Sequence, residues 1–193
     1  MNKNTKTILS IIAFALFIAA AVFAYNTLSQ KVSPRNNIDT AQNGSEVEQN
    51  NQETEKLKAP DFMVYDKDGN SVKLSDLFGK PIVLNFWASW CPPCKSEMPE
   101  FNEVYNELGE DVSFMMVDLV DEQRETKEKG EQYIKEQGFT FPVYYDIKQD
   151  AAYNYGIRSI PTTLFIDKDG YIITGAQGAI DAQTLKKGID LIK

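Results

Sequence analysis

Cys91 and Cys94 are the only two cysteines in the chain, and the run Trp90-Cys91-Pro92-Pro93-Cys94 places both sulfurs within one helical turn. Two thiols at that spacing can close on each other, which makes them a reversible two-electron switch. A cysteine immediately before a helix meets unsatisfied N–H groups and the positive end of the macrodipole, and both favour thiolate over thiol. Cys91 is therefore the expected attacking sulfur. Cys94, one turn further in, suits the resolving step that breaks the mixed disulfide between Cys91 and a partner. Pro92 and Pro93 lose no hydrogen bond at the first helical positions, although they withhold donors from the Cys91 thiolate.

Two other uses of the pair compete with redox chemistry. A zinc site wants about four ligands, and with no histidine and no third cysteine no metal is expected. A permanent disulfide would close a very small loop and restrict the unfolded chain little. The missing histidines also exclude Ser-His-Asp and Cys-His nucleophile arrangements.

The elements that must position the pair are legible around it. Residues 81–88 read as a buried strand leading into the loop that carries Cys91, and a helical pattern runs from Pro92 or Pro93 to Leu108. Strand-to-helix context of this kind marks a redox motif. Upstream, residues 62–65 and 71–74 flank an Asp-Gly turn and predict a hairpin-like entry. Downstream, the pattern predicts a strand over 112–119, a helix over 126–137 stopped by Gly138, an extended piece over 141–145 and a helical turn over 149–155. Strands over 162–167 and 171–174 and a final helix capped by Asp181 complete the chain. Strands alternating with helices and ending in a hairpin plus helix give an α/β mixed sheet with helices on both faces.

The first quarter of the chain does not belong to that domain. Ile8 to Tyr25 is a stretch of 18 residues without a charge, preceded by Lys3 and Lys6. That is the length and flank of a minimal transmembrane helix, so residues 1–25 are expected to be a signal anchor. A cleavable signal peptide is the alternative, because Val22-Phe23-Ala24 ends in a small residue, but the run exceeds the usual h-region of about 7 to 15 residues. Residues 26–57 are polar, lack aromatics and show no apolar period, and so read as a disordered tether between the anchor and a domain over 58–193. The expected location is a single-pass cell-membrane protein with its domain on the extracytoplasmic side, or a secreted one if the segment is cleaved. A net charge of −8 without a basic cluster argues against nucleic acid as a partner.

The stretch from Asn85 to Pro99 resembles the active-site segment of the membrane-tethered thioredoxin-like proteins of the TlpA/ResA type, and the similarity runs over residues 59–193. It implies a thioredoxin fold with an N-terminal β-hairpin extension and a central strand-helix insertion. It also implies a thiol-disulfide oxidoreductase that reduces client disulfides outside the cytoplasm, such as the haem-binding cysteines of apocytochrome c. An integral membrane thiol donor of the CcdA kind would recharge it, with no cofactor beyond the Cys91–Cys94 disulfide. In such proteins Pro161 matches a cis-proline beside the disulfide, which leaves the Ile160 backbone open to pair with an extended client. Trp90, Pro92, Pro93, Ile160 and Pro161 are then the expected client-binding residues, with Trp90 shielding Cys91.

Glu97 matches an acidic residue that ResA-like members place near the disulfide, where it would exchange a proton with the resolving thiol. An ordinary solvated helix glutamate is the alternative. Asn85 stands where cytosolic thioredoxins carry a buried Asp, and an amide cannot exchange protons at neutral pH, which leaves Glu97 as the nearest replacement. Two other functions stay open: a thiol peroxidase of the peroxiredoxin type, disfavoured by Ala88 where a Thr would stand three residues before Cys91, and a tethered non-catalytic binding module.

Overall fold

The computed structural model describes Ile18, which is helical, and residues 57–193. The expected anchor and tether lie outside the described residues, apart from Ile18 and Leu57. Eight strands form one sheet: β1 (Leu57–Lys58), β2 (Met63–Tyr65), β3 (Ser71–Lys73), β4 (Ile82–Trp87), β5 (Ser113–Asp118), β6 (Val143–Tyr145), β7 (Thr162–Ile166) and β8 (Tyr171–Gln177). Their spatial order is β1-β8-β7-β4-β5-β6-β2-β3. β4 lies near the centre, parallel to β5 and antiparallel to β7, so the sheet is mixed. The β2–β3 pair is the hairpin extension, and β6 with the helix before it is the insertion.

All six residues of β4 are buried, which explains its near-continuous apolar sequence: each face needs a hydrophobic partner. Successive side chains alternate between the faces. Val83 and Trp87 join the core under helices α1 (Pro92–Leu108) and α4 (Ala182–Asp190), whereas Ile82, Leu84 and Phe86 join the opposite core with Phe62, Leu74 and Met115. The same alternation puts Asn85 on the α1 face of the strand. Helix α2 (Lys127–Gln137) begins at Thr126, whose side chain accepts from Lys129 N–H, and ends at Gly138 with φ +70°. A short helix, α3 (Asp150–Asn154), follows β6.

Two close approaches fix the helices and turns. At Gly170, in the β7–β8 turn, φ is +82° and a side chain would meet the Phe78 ring at 2.6 Å, so both conformation and space require glycine. On α4, a Cβ at Gly188 would lie 2.2 Å from Phe165 Cζ, so the helix backbone rests directly on that ring. Gly188→Ala should gain up to about 1 kcal/mol of helix propensity. Forcing the buried Phe165 ring aside costs about 1–3 kcal/mol, so the variant is expected to be less stable in urea denaturation. Equal or greater stability would show that α4 can lift off the sheet freely.

Candidate active site

The site is built where β4 ends. After Trp87 the chain passes through Ala88, Ser89 and Trp90, and Cys91 becomes the N-cap of α1 with extended backbone (φ −87°, ψ 108°). Pro92 and Pro93 occupy the first turn, where their missing N–H groups leave nothing unpaired, and both are exposed. Cys91 and Cys94 are joined as a disulfide with Cα atoms 5.3 Å apart. Cys94 N–H donates to Cys91 Sγ at 3.2 Å, so a helix-terminal N–H already points at the sulfur that would carry negative charge after reduction. Cys94 is fully buried and Cys91 is 2% exposed.

Ile160 and Pro161 are brought against this sulfur from the loop before β7. The Ile160–Pro161 peptide is cis, and the Ile160 carbonyl oxygen lies 3.7 Å from Cys91 Sγ. Trp90, next to Cys91 in the chain, is 40% exposed and stands at the rim of the site.

Glu97 is not a solvated helix residue. One turn beyond Cys94 on α1, it is buried against the sheet. Its Oε1 accepts from Asn85 Nδ2 at 2.9 Å, and its Oε2 accepts from the Ile180 N–H at 3.0 Å. Asn85 Nδ2 also donates to Thr163 Oγ1 at 3.0 Å, which ties β4, β7 and α1 together. Burial raises the Glu97 carboxyl to about 7, while the two hydrogen bonds pull it back toward its ordinary value. Asn85 and Glu97, singled out separately in the sequence, are thus direct partners.

The loop between β5 and α2 supplies residues that sequence reasoning missed. Asp121 Oδ1 accepts from the N–H groups of Glu125, Gln123 and Arg124, which hold its carboxyl well below the usual range and curl the loop back. Glu125 is thereby buried, and its carboxylate accepts from Ser89 N–H at 2.8 Å and from Ser89 Oγ at 2.8 Å. The adjacent Arg124 guanidinium lies over the Trp90 ring at 4.0 Å. Two neighbouring side chains therefore hold the two residues that precede Cys91.

Asp118 closes β5 on the α1 face, fully buried, with neither carboxylate oxygen bonded. A Cβ at Gly130 would stand 2.0 Å from Asp118 Oδ2, so only glycine on α2 leaves room for the carboxyl. Burial first, and then the charges of Glu125 and Asp121, push Asp118 up to about 9. A lone carboxylate inside an apolar run was the available signal for this position.

Comparison with known proteins agrees with this geometry. Residues 56–174 match the AhpC/TSA family. Thiol-disulfide oxidoreductase ResA of Bacillus thuringiensis (strain Al Hakam) is 38% identical over 119 residues, covering 60% of this chain and 65% of that protein. ResA of Geobacillus thermodenitrificans is 36% identical over 139 residues, covering 70% of this chain and 76% of its own length. Among solved structures, StoA from Bacillus subtilis superposes with a TM-score of 0.59 at 31% identity, covering 67% of this chain and 96% of that one. A putative thiol:disulfide interchange protein DsbE from Chlorobium tepidum gives 0.62 at 30% identity, covering 69% and 94%. With its disulfide at the junction of β4 and α1, the chain belongs to the AhpC/TSA family and, within it, to the thioredoxin-fold oxidoreductases of the ResA kind.

Proposed function

We propose that this protein reduces disulfides in client proteins through Cys91 and Cys94, on the extracytoplasmic side of a membrane to which residues 8–25 anchor it. The observation that carries the reading is the disulfide itself: a Cys91 sulfur at a helix start, beside an exposed aromatic rim and the Ile160 backbone, with a buried titratable carboxyl one turn behind Cys94.

In the reduced protein the Cys91 thiolate attacks one sulfur of a client disulfide. A Cys91–client S–S bond forms, the client bond breaks, and one client thiolate leaves and takes a proton. Cys94 then gives its proton to Glu97 and attacks Cys91 Sγ. The intramolecular disulfide forms, the second client thiolate leaves, and two electrons have passed from the cysteine pair to the client. A membrane thiol donor of the CcdA kind would restore the dithiol by the same exchange in reverse. The haem-binding cysteine pair of apocytochrome c is the proposed client, with support from the likeness to ResA alone.

Cys94→Ala removes the resolving sulfur, so purified from its native cells it should carry a client on Cys91 that dithiothreitol releases. Absence of any such adduct, in a variant that still folds, would overturn the exchange mechanism. Direction is tested separately by equilibration with glutathione. A reduction potential in the thioredoxin range of about −270 mV supports the reductant, whereas one near the about −120 mV of a strong oxidant overturns it.

A further inference from the structure

We infer that the groove beside Cys91 selects client segments bearing carboxylates next to the reacting cysteine, and that Arg158 and Arg124 are the residues that recognise them. The inference rests on the disulfide-exchange reading above and adds the chemical class of client.

The chain contains three arginines, Arg35, Arg124 and Arg158. The two that fall among the described residues line the same groove of about 250 Å³, together with Trp90, Asp121, Ser159 and Ile160, and no lysine lines it. Placing both there, in a chain of net charge −8 whose other cationic side chains are all lysines apart from Arg35, concentrates bidentate carboxylate-binding chemistry at one place.

Their states differ in a useful way. Arg124 stacks on Trp90 and its Nε lies 3.2 Å from Asp121 Oδ2, which leaves its terminal NH2 groups for an incoming acceptor. Asp121 is the one acidic residue lining the groove, and its charge is already committed to Arg124 and to three backbone N–H groups. Arg158 makes no hydrogen bond or ion pair with any described residue. It stands two residues before Ile160, whose carbonyl is 3.7 Å from Cys91 Sγ. A client strand laid along Ile160 to reach the sulfur must pass a free guanidinium, and the groove is left with an uncompensated positive charge. Charge complementarity with an acidic segment follows, acting on encounter and orientation more than on the chemical step.

Three peptides that share one disulfide and differ only in having Glu, Gln or Lys beside the cysteine test this with the reduced full-length chain. The Glu peptide should be reduced with a kcat/KM about three- to fivefold above the Gln peptide, and the Lys peptide more slowly than either, as expected for exposed ion pairs. The spread should shrink in high salt. Arg158→Lys should keep the order, Arg158→Ala should compress the Glu/Lys ratio, and Arg158→Glu should invert it. Because the readout is a ratio within each variant, a general loss of activity does not imitate the effect. Equal rates for the three peptides, or a ratio unchanged by Arg158→Glu, would overturn the inference while leaving disulfide exchange intact. Failure to reduce any of them, with dithiothreitol reducing all three, would overturn the exchange reading and this one with it.

Discussion

Glu97→Gln should slow resolution of the Cys91 mixed disulfide by about 10²-fold or more and erase an inflection near pH 7 from its pH profile. The magnitude is that of a positioned general base, and the pH follows from the carboxyl raised to about 7 by burial. As a base, Glu97 must be ionised, so the wild-type rate should rise with pH through this region while the variant shows only the cysteine ionisations. Stopped-flow measurement of client release from about pH 5 to pH 9 reads both. A variant with an unaltered profile would reduce Glu97 to a packing residue.

The same burial has a stability signature of defined sign. The folded carboxyl binds its proton more tightly than the unfolded one, so its contribution is fully present below about pH 4.5 and is lost as pH rises to about 7. The Glu97→Gln variant would escape that loss, although the NH2 group of the new amide must face either Asn85 Nδ2 or the Ile180 N–H, both donors, and this offsets part of the gain.

Asp118→Asn should stabilise the protein at neutral pH by about 2–4 kcal/mol. The folded carboxyl sits at about 9 against an ordinary value of 3.8, so folding at about pH 7 must take up nearly a full proton. About three pH units at 1.36 kcal/mol each give a penalty of ~4 kcal/mol, which a neutral amide of the same shape does not incur. The sign is the same as for Glu97. The gain should fall to about 0.5 kcal/mol near pH 4, vanish well below the ordinary value of 3.8, where both states hold the proton, and grow up to about pH 9. Urea denaturation of both proteins at about pH 4, 7 and 8.5 checks it. A variant less stable than wild type at neutral pH would mean that Asp118 is ionised and paired in the folded protein.

Much of this site is written locally and some of it is not. The β4 strand and the start of α1 follow from an apolar run and two prolines after an N-cap cysteine, signals that act within a few residues. Pro99 removes one hydrogen bond inside α1, and the helix still runs to Leu108, as its pattern predicts, because Met98, Phe101 and Val104 bury its inner face. Whether Glu97 was solvated or buried could not be read from its neighbours. It is decided by Asn85 on another element and by Ile180, 83 residues away. The polar run from Asp121 to Glu125 has the composition of a solvated loop, and Glu125 is buried because Asp121 curls that loop back onto Ser89, 36 residues earlier, which donates to its carboxylate. Composition reports average exposure, whereas contacts of this range depend on the completed sheet.

Cys91 offers only 2% of its surface, with Trp90 beside it in the chain and the Ile160 carbonyl 3.7 Å from its sulfur. A sulfur so recessed cannot be reached by a disulfide held flush in the core of another folded protein. A chain whose backbone can extend along the Ile160 loop meets less hindrance in delivering its own sulfur. Under the proposed exchange reading, one client should therefore be reduced faster before it folds than after, a difference that rates measured on both forms would read.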